Sequence, residues 1–187
     1  GMSVIGIARE ISALLESRLN TPELNHKYNI HLLKAIKLCS EAITSNCIYT
    51  ISCIDGVNGD KVSPKWLKDR IEKSGIKSIN LLVDLTNYIL LEQGQPLHAF
   101  DKEKLSNLIG KEVSPKDFSV RKAKDNESLV CLDGKKYELN ENITVVTCCD
   151  KPVAIAGVIG GLETSVTNTT SSIYLEGAVF NPVTIRK

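Results

Sequence analysis

No two of the six cysteines are spaced C-x-x-C, and the chain is long enough to fold without covalent staples. That excludes a cysteine-pair metal knuckle and gives no sign of a disulfide framework. Cys39, Cys47, Cys53, Cys131, Cys148 and Cys149 read as reduced, buried, unreactive thiols of a cytosolic protein. The three histidines show no metal-ligand spacing either. No apolar run approaches the roughly 20 residues that a membrane-spanning helix needs, and no secretory h-region follows the N-terminus. An excess of either charge is also missing. The 23 Lys and Arg residues stand against 22 Asp and Glu, for a net charge of +1. A broad basic footprint for nucleic acid is therefore absent, and affinity for such a partner must come from elsewhere. Gly157-Val-Ile-Gly160-Gly161 has neither a Gly-Lys-Ser/Thr ending nor G-x-G-x-x-G spacing, which excludes a phosphate loop of either kind. There is no internal repeat and no low-complexity segment.

What is present suits a globular chain. Its 187 residues, 42% hydrophobic, can bury one good core or two small ones. Apolar positions at helical spacing predict helices over residues 3–19, 65–74 and 80–93. Ser3 is placed to cap the first and Ser63 the second, with Pro64 in its first turn. Residues 20–25 read as a linker, and 30–43 fits neither period cleanly. β-branched and alternating segments predict strands at 48–55, 119–123, 143–149 and 172–180. A hairpin with Asp133-Gly134 at its tip is expected over 128–139. Residues 154–161 read as one apolar strand running into glycines, and Asn181-Pro182 as the start of a further helix cut off at Lys187. Helices dominate the first half and strands the second. The expected class is α+β, with a largely antiparallel sheet and flanking helices. The whole chain reads as a single module, 1–187, with sub-parts 1–110 and 111–187 meeting between Asp101 and Ser119. Gly1 ahead of Met2 reads as a cloning remnant, and the cut-off last helix as the mark of a fragment of a longer protein.

The chemistry concentrates around residues 80–101. Asn80 is placed to start the helix, Gly94 to end it in a left-handed turn, and Pro96 to prevent its continuation. That puts His98 on a loop just past a helix end, where it can hold or activate a water, or else satisfy backbone groups in a turn. Thr86 and Asn87 offer uncharged donors and acceptors in mid-helix, for a small polar ligand or for their own backbone. Asp84 reads as a helix-surface charge. Glu176 lies in the apolar strand 172–180 and shares a face with Tyr174 and Ala178. A carboxylate there is either a specific acceptor inside an apolar pocket or a solvated edge residue. Gly160 and Gly161 allow close backbone approach to a ligand, or a positive-φ turn. Adjacent strand positions should point Cys148 and Cys149 to opposite faces. His26 and His31 lie in polar sequence and carry no reading.

Val-Asp84-Leu-Thr86-Asn87-Tyr, Leu-Glu-Gln-Gly-Gln-Pro-Leu-His98-Ala-Phe-Asp, Ala-Gly-Val-Ile-Gly160-Gly161 and Leu-Glu176-Gly-Ala178-Val-Phe-Asn-Pro-Val-Thr-Ile-Arg follow one another in order. Together with Ser3-Val-Ile-Gly-Ile-Ala-Arg-Glu and Ser63-Pro-Lys-Trp-Leu, they resemble the central B3/B4 module of the phenylalanyl-tRNA synthetase β chain. The likeness covers nearly the whole chain and is weakest over residues 20–47. It implies a layered B3/B4-type fold and an editing activity: hydrolysis of mischarged Tyr-tRNA(Phe) to tyrosine and tRNA. It implies that Glu176 accepts from the tyrosine hydroxyl and that Gly160 and Gly161 lie beside the aromatic ring. Ala178, on the face of Glu176, joins the substrate-binding residues. His98 falls near the scissile ester, with Thr86 and Asn87 beside the substrate amino acid or the attacking water. The implied partners are the synthetase α chain, in an α2β2 parent enzyme, and the acceptor end of tRNA(Phe). The implied location is cytoplasmic. The module itself should need no cofactor, ATP and Mg2+ serving the parent enzyme elsewhere. The family's pocket also draws on residues beyond the position of Lys187. Two other readings are a docking module with a decayed editing site and a stand-alone relative acting on free mischarged tRNA.

Overall fold

The structure is a computed structural model, which describes residues 3–21 and 48–180. The ambiguous segment 30–43, His26, His31, Cys39, Cys47 and the helix expected from Asn181 lie outside the described residues. Helix α1 (Val4–Leu14) is capped by Ser3, whose hydroxyl accepts from the Gly6 N–H. It is shorter than the periodicity predicts. None of its residues is buried, so nothing extends it past Leu14, and Glu16 already stands at φ 48°.

Helix α2 (Lys65–Lys73) buries Leu67 and Ile71. Helix α3 (Leu81–Gln93) starts on Asn80, whose side chain accepts from the Val83 N–H, and ends on Gly94 at φ 75°. Both caps agree with the sequence reading. Two other local expectations do not hold. Ser63 does not cap α2; it is buried and donates to Oδ2 of Asp84 at 2.5 Å. Asp84 is not a surface charge but fully buried, accepting also from Ser78 Oγ at 2.6 Å and the Ile79 N–H at 2.9 Å. A buried carboxylate with three donors ties the loops around α2 to the first turn of α3.

Beyond Gly94 the chain turns straight into a strand. Strand β1 (Ile48–Asp55), strand β2 (Leu97–Asp101) and the late strand 172–179 form one antiparallel sheet in the order β1, late strand, β2. His98 therefore lies on a strand rather than on a loop. The Gly94–Pro96 turn delivers it directly beside the late strand, whose backbone pairs it. Helix α4 (Lys102–Ile109) follows, its N-terminus capped by Asp101. The second sheet is also antiparallel: β3 (Phe118–Lys122), then β6 (Thr144–Cys148), β7 (Lys151–Ile155) and β8 (Ile159–Gly160) in spatial order. A two-stranded hairpin, β4 (Ser128–Val130) and β5 (Lys136–Glu138), stands as expected, and the late strand is β9 (Ser172–Val179). The class is thus α+β, with every described strand pair antiparallel.

The segment expected as one strand over 154–161 is a hairpin instead. Gly157, at φ 67°, turns β7 back into β8. Strand β6 stops at Cys148, and Cys149 sits past it in a turn at φ 47°. Cys149 is exposed, contrary to the reading of uniformly buried thiols, with its Sγ 3.3 Å from Oδ1 of Asp117. Cys148 is buried, and burial pushes its thiol up to about 12.

The main core lies between the two sheets. Tyr49, Ile51, Phe100, Tyr174 and Ala178 come from the first sheet, and Val120, Val146, Val153 and Ala154 from the second. Phe118 bridges them, its ring 5.7 Å from Phe100 and 5.2 Å from Tyr174. Burying such rings contributes about 1.5–3 kcal/mol each, and they fix the spacing of the sheets.

Candidate functional site

At one end of the inter-sheet space the packing opens into a cavity of about 820 Å³. Its walls are mostly apolar, with Leu90 of α3, Leu97 of β2, Ala154 of β7 and Phe180 just after β9. Among these walls lie the side chains of Glu176 and His98, with Gly160 and Ala178 beside them. Four of the seven residues singled out from the sequence thus share one cavity. Thr86, Asn87 and Gly161 are not among its lining residues. Thr86 Oγ1 instead donates to the Val83 carbonyl at 2.8 Å, within its own helix.

Strand pairing explains why Glu176 and His98 meet. Their Cα atoms are direct partners in the β2–β9 register, so both side chains stand on one face. Alternation along β9 places Tyr174, Glu176 and Ala178 on its buried side, as their pattern predicts. Glu176 is 8% exposed and accepts from the hydroxyl of Tyr49 at 3.1 Å, through Oε2. Among the described residues no donor is bonded to Oε1. Burial disfavours the charged form and raises the carboxyl to about 7, the Tyr49 hydroxyl pulling the other way.

His98 is packed from two sides. Phe100 meets its ring edge to face at 4.5 Å. Gly160 lies so close that a Cβ there would fall 2.3 Å from Cε1 and 2.5 Å from Nε2. The Nε2 atom is sealed from solvent and has no hydrogen-bond partner among the described residues. Burial lowers the imidazole to about 4, so the ring is neutral at physiological pH. A sealed, unpartnered nitrogen is an unmet hydrogen-bonding group, and a ligand group or a water reaches it only when the ring turns toward the cavity.

The two glycines differ. Neither has positive φ, so the turn reading does not apply to them; that role belongs to Gly157. Gly160 makes room for His98. Gly161 makes room for the main chain, since a Cβ there would lie 2.6 Å from the carbonyl oxygen of Val153, to which its own N–H donates at 2.9 Å. Tyr49 is the member of the site that the sequence reading missed. Its strand was legible, but its register against β9 was not, and only that register sets its phenol against Glu176.

The two titrating groups pull stability in opposite directions with pH. Glu176 is raised from an ordinary 4.5 to about 7, so the folded state keeps a proton that the unfolded chain releases. That contribution is complete below about pH 4.5 and is lost as pH rises to 7. His98 is lowered from 6.5 to about 4, so its contribution is complete above pH 6.5 and is lost as pH falls to 4. Between 4.5 and 6.5 the slopes cancel. Glu176→Gln should leave stability that rises with pH in this window, and His98→Gln stability that falls, each by about 1.4 kcal/mol per pH unit at most. Urea melts at stepped pH measure this; parallel curves for all three proteins would refute the assignment.

Two antiparallel sheets and flanking helices around a mostly apolar cavity, with a buried carboxyl and a neutral imidazole in its wall, define an α+β module whose cavity has the size and character of small-ligand sites. The particular family follows from comparison with known proteins. The family model of the B3/4 domain matches residues 45–187, and the chain belongs to that family. Over its whole length it is 93% identical to a phenylalanine–tRNA ligase beta subunit of Prochlorococcus marinus (strain MIT 9312), and 72% identical to that of Prochlorococcus marinus subsp. pastoris (strain CCMP1986 / NIES-2087 / MED4). It spans 23% of the length of each. A solved N-terminal fragment of the phenylalanyl-tRNA synthetase beta-subunit from Pyrococcus horikoshii aligns with a TM-score of 0.45 at 15% identity, over 97% of this chain and 52% of that one. The resemblance read in the sequence holds at the level of the family. Among the described residues no cluster of three or more His, Cys, Asp or Glu side chains could hold a metal, and no helix is long and apolar enough to cross a membrane.

Proposed function

We propose that this chain is the editing module of a phenylalanyl-tRNA synthetase β chain and hydrolyses the ester of Tyr-tRNA(Phe). The single observation that carries the reading is the buried carboxyl of Glu176, set in an otherwise apolar cavity directly across from His98. An apolar pocket made for phenylalanine rejects an analogue with one added hydroxyl only about a hundredfold. A second pocket that offers a phenol a hydrogen-bond partner can sort the other way. Phenylalanine would leave the carboxyl unpaired there and be refused.

In this reading the side chain of the mischarged amino acid enters between Gly160 and Ala178, and its hydroxyl reaches Oε1 of Glu176. His98 is neutral and would hold the attacking water or the ester through its unpartnered nitrogen once the ring turns that atom toward the cavity. Thr86 and Asn87, in α3, would act from outside the lining described above. The parent enzyme would supply the α chain, the body of the tRNA-binding surface, and the ATP and Mg2+ chemistry, in the cytoplasm. The near-neutral surface fits a module that receives only the acceptor end.

The test is deacylation by the full-length protein in its native assembly. Pre-formed Tyr-tRNA(Phe) should be hydrolysed well above the spontaneous rate, and Phe-tRNA(Phe) should not. Equal, background-level loss of both esters would instead indicate a docking module.

A further inference from the structure

We propose that Tyr49 is the positioning residue of this site, the group that aims the Glu176 carboxyl into the cavity. The proposal rests on the editing reading above and deepens it. Tyr49 is fully buried in β1, on the far side of β9 from His98. Its backbone partner is Ala178, two residues beyond Glu176, so the phenol crosses diagonally to reach the carboxyl. It donates to Oε2 at 3.1 Å. A glutamate carboxyl is otherwise free to turn about its last bond, where the torsional wells are broad. One bond to one oxygen removes that freedom and leaves Oε1 as the oxygen for a ligand.

The pairing also shows that this carboxyl accepts from a phenol in this environment. An incoming tyrosine hydroxyl would be the second phenol on the same group. The site therefore carries its own copy of the contact it reads. Tyr49 bonds the carboxyl from β1 and His98 pairs with Glu176 from β2, while Ala154 of β7, Gly160 of β8 and Leu90 of α3 line the same cavity. Among the described residues no lysine or arginine lines the cavity, and the hydroxyl of Tyr49 is the one of their groups that favours the ionised carboxyl.

The experiment is Tyr49→Phe in the full-length protein in its native assembly, with wild type and Glu176→Gln run beside it. The readout is the ratio of hydrolysis rates of Tyr-tRNA(Phe) and Phe-tRNA(Phe), followed from pH 6 to 9 so that the intrinsic base lability of the ester cancels. The ratio should fall about 5- to 30-fold at pH 7, roughly the loss of one buried hydrogen bond to a carboxyl that is about half ionised there. Its inflection with pH should move upward, because the carboxyl ionises later without its donor. Adding Tyr49→Phe to Glu176→Gln should change the ratio no further. A merely structural tyrosine would lower both rates together and leave ratio and inflection in place, and that result overturns the proposal. Full discrimination by Tyr49→Phe also overturns it while leaving the editing reading intact. No hydrolysis by wild type overturns both. If Tyr49→Phe lowers thermal stability enough to deplete folded protein, the ratio still decides, since it is independent of the active fraction.

Discussion

Gly160→Ala should lower hydrolysis of Tyr-tRNA(Phe) by about a hundredfold or more while leaving the protein folded. The added Cβ would stand 2.3 Å from Cε1 and 2.5 Å from Nε2 of His98, closer than carbon atoms approach. The obstructing atoms are the far end of a side chain, so the imidazole can rotate away at a cost of about 1 kcal/mol off its rotamer. Folding tolerates that. In the editing reading the site does not, because a group at the reacting atoms displaced by about 1 Å loses on the order of a hundredfold. Gly161→Ala should behave in the opposite way. Its Cβ would meet a backbone oxygen that cannot swing aside, and the Gly161 to Val153 hydrogen bond would be strained. A stability loss of about 1–3 kcal/mol is expected there. Paired thermal melts and deacylation rates on the two variants test this. Equal losses of activity at equal stability would mean that Gly160 does not act through His98.

These neighbouring glycines show which parts of the molecule were legible in the sequence. Several features set by a few adjacent residues are legible, though the Ser63 cap and the Gly157 turn are not. Asn80 and Gly94 bound α3 because a cap and a left-handed turn depend on local backbone alone. Alternation along β9 sets Glu176 on one face with Tyr174 and Ala178, though it leaves open whether that face is a pocket or a solvated edge. Features set by partners far along the chain were not legible. His98 was placed on a loop because nothing near it announces that β9 will pair with it. Asp84 was read as exposed because Ser63 and Ser78, its hydroxyl donors, lie outside its helix. Gly160 was understood as space for a ligand or a turn, whereas the space it makes belongs to an imidazole from the other sheet. The family likeness places Thr86 and Asn87 at the site by motif order, and the lining of the cavity neither includes them nor decides their role.

The chemistry of the cavity is sharpest at Glu176, where substitution should alter rate and selectivity together. Glu176→Ala in the full-length assembly is expected to slow hydrolysis of Tyr-tRNA(Phe) about 5- to 100-fold, the worth of one hydrogen bond of about 1–3 kcal/mol. The same change should relax the refusal of Phe-tRNA(Phe). In wild type a phenyl ring would cover Oε1 and give it nothing in return, an unpaired polar oxygen in an apolar wall. Alanine removes that oxygen, so the penalty on phenylalanine disappears along with the reward for tyrosine. The two rates should therefore converge from opposite sides, one falling and the other rising. A residue that only supported the fold would lower both. Convergence is also distinct from loss of His98 or Gly160, which the editing reading sets at the ester and whose loss should slow whatever hydrolysis remains without changing its preference. Unchanged rates for both esters in Glu176→Ala would move the hydroxyl contact elsewhere and take the proposed role of Tyr49 with it.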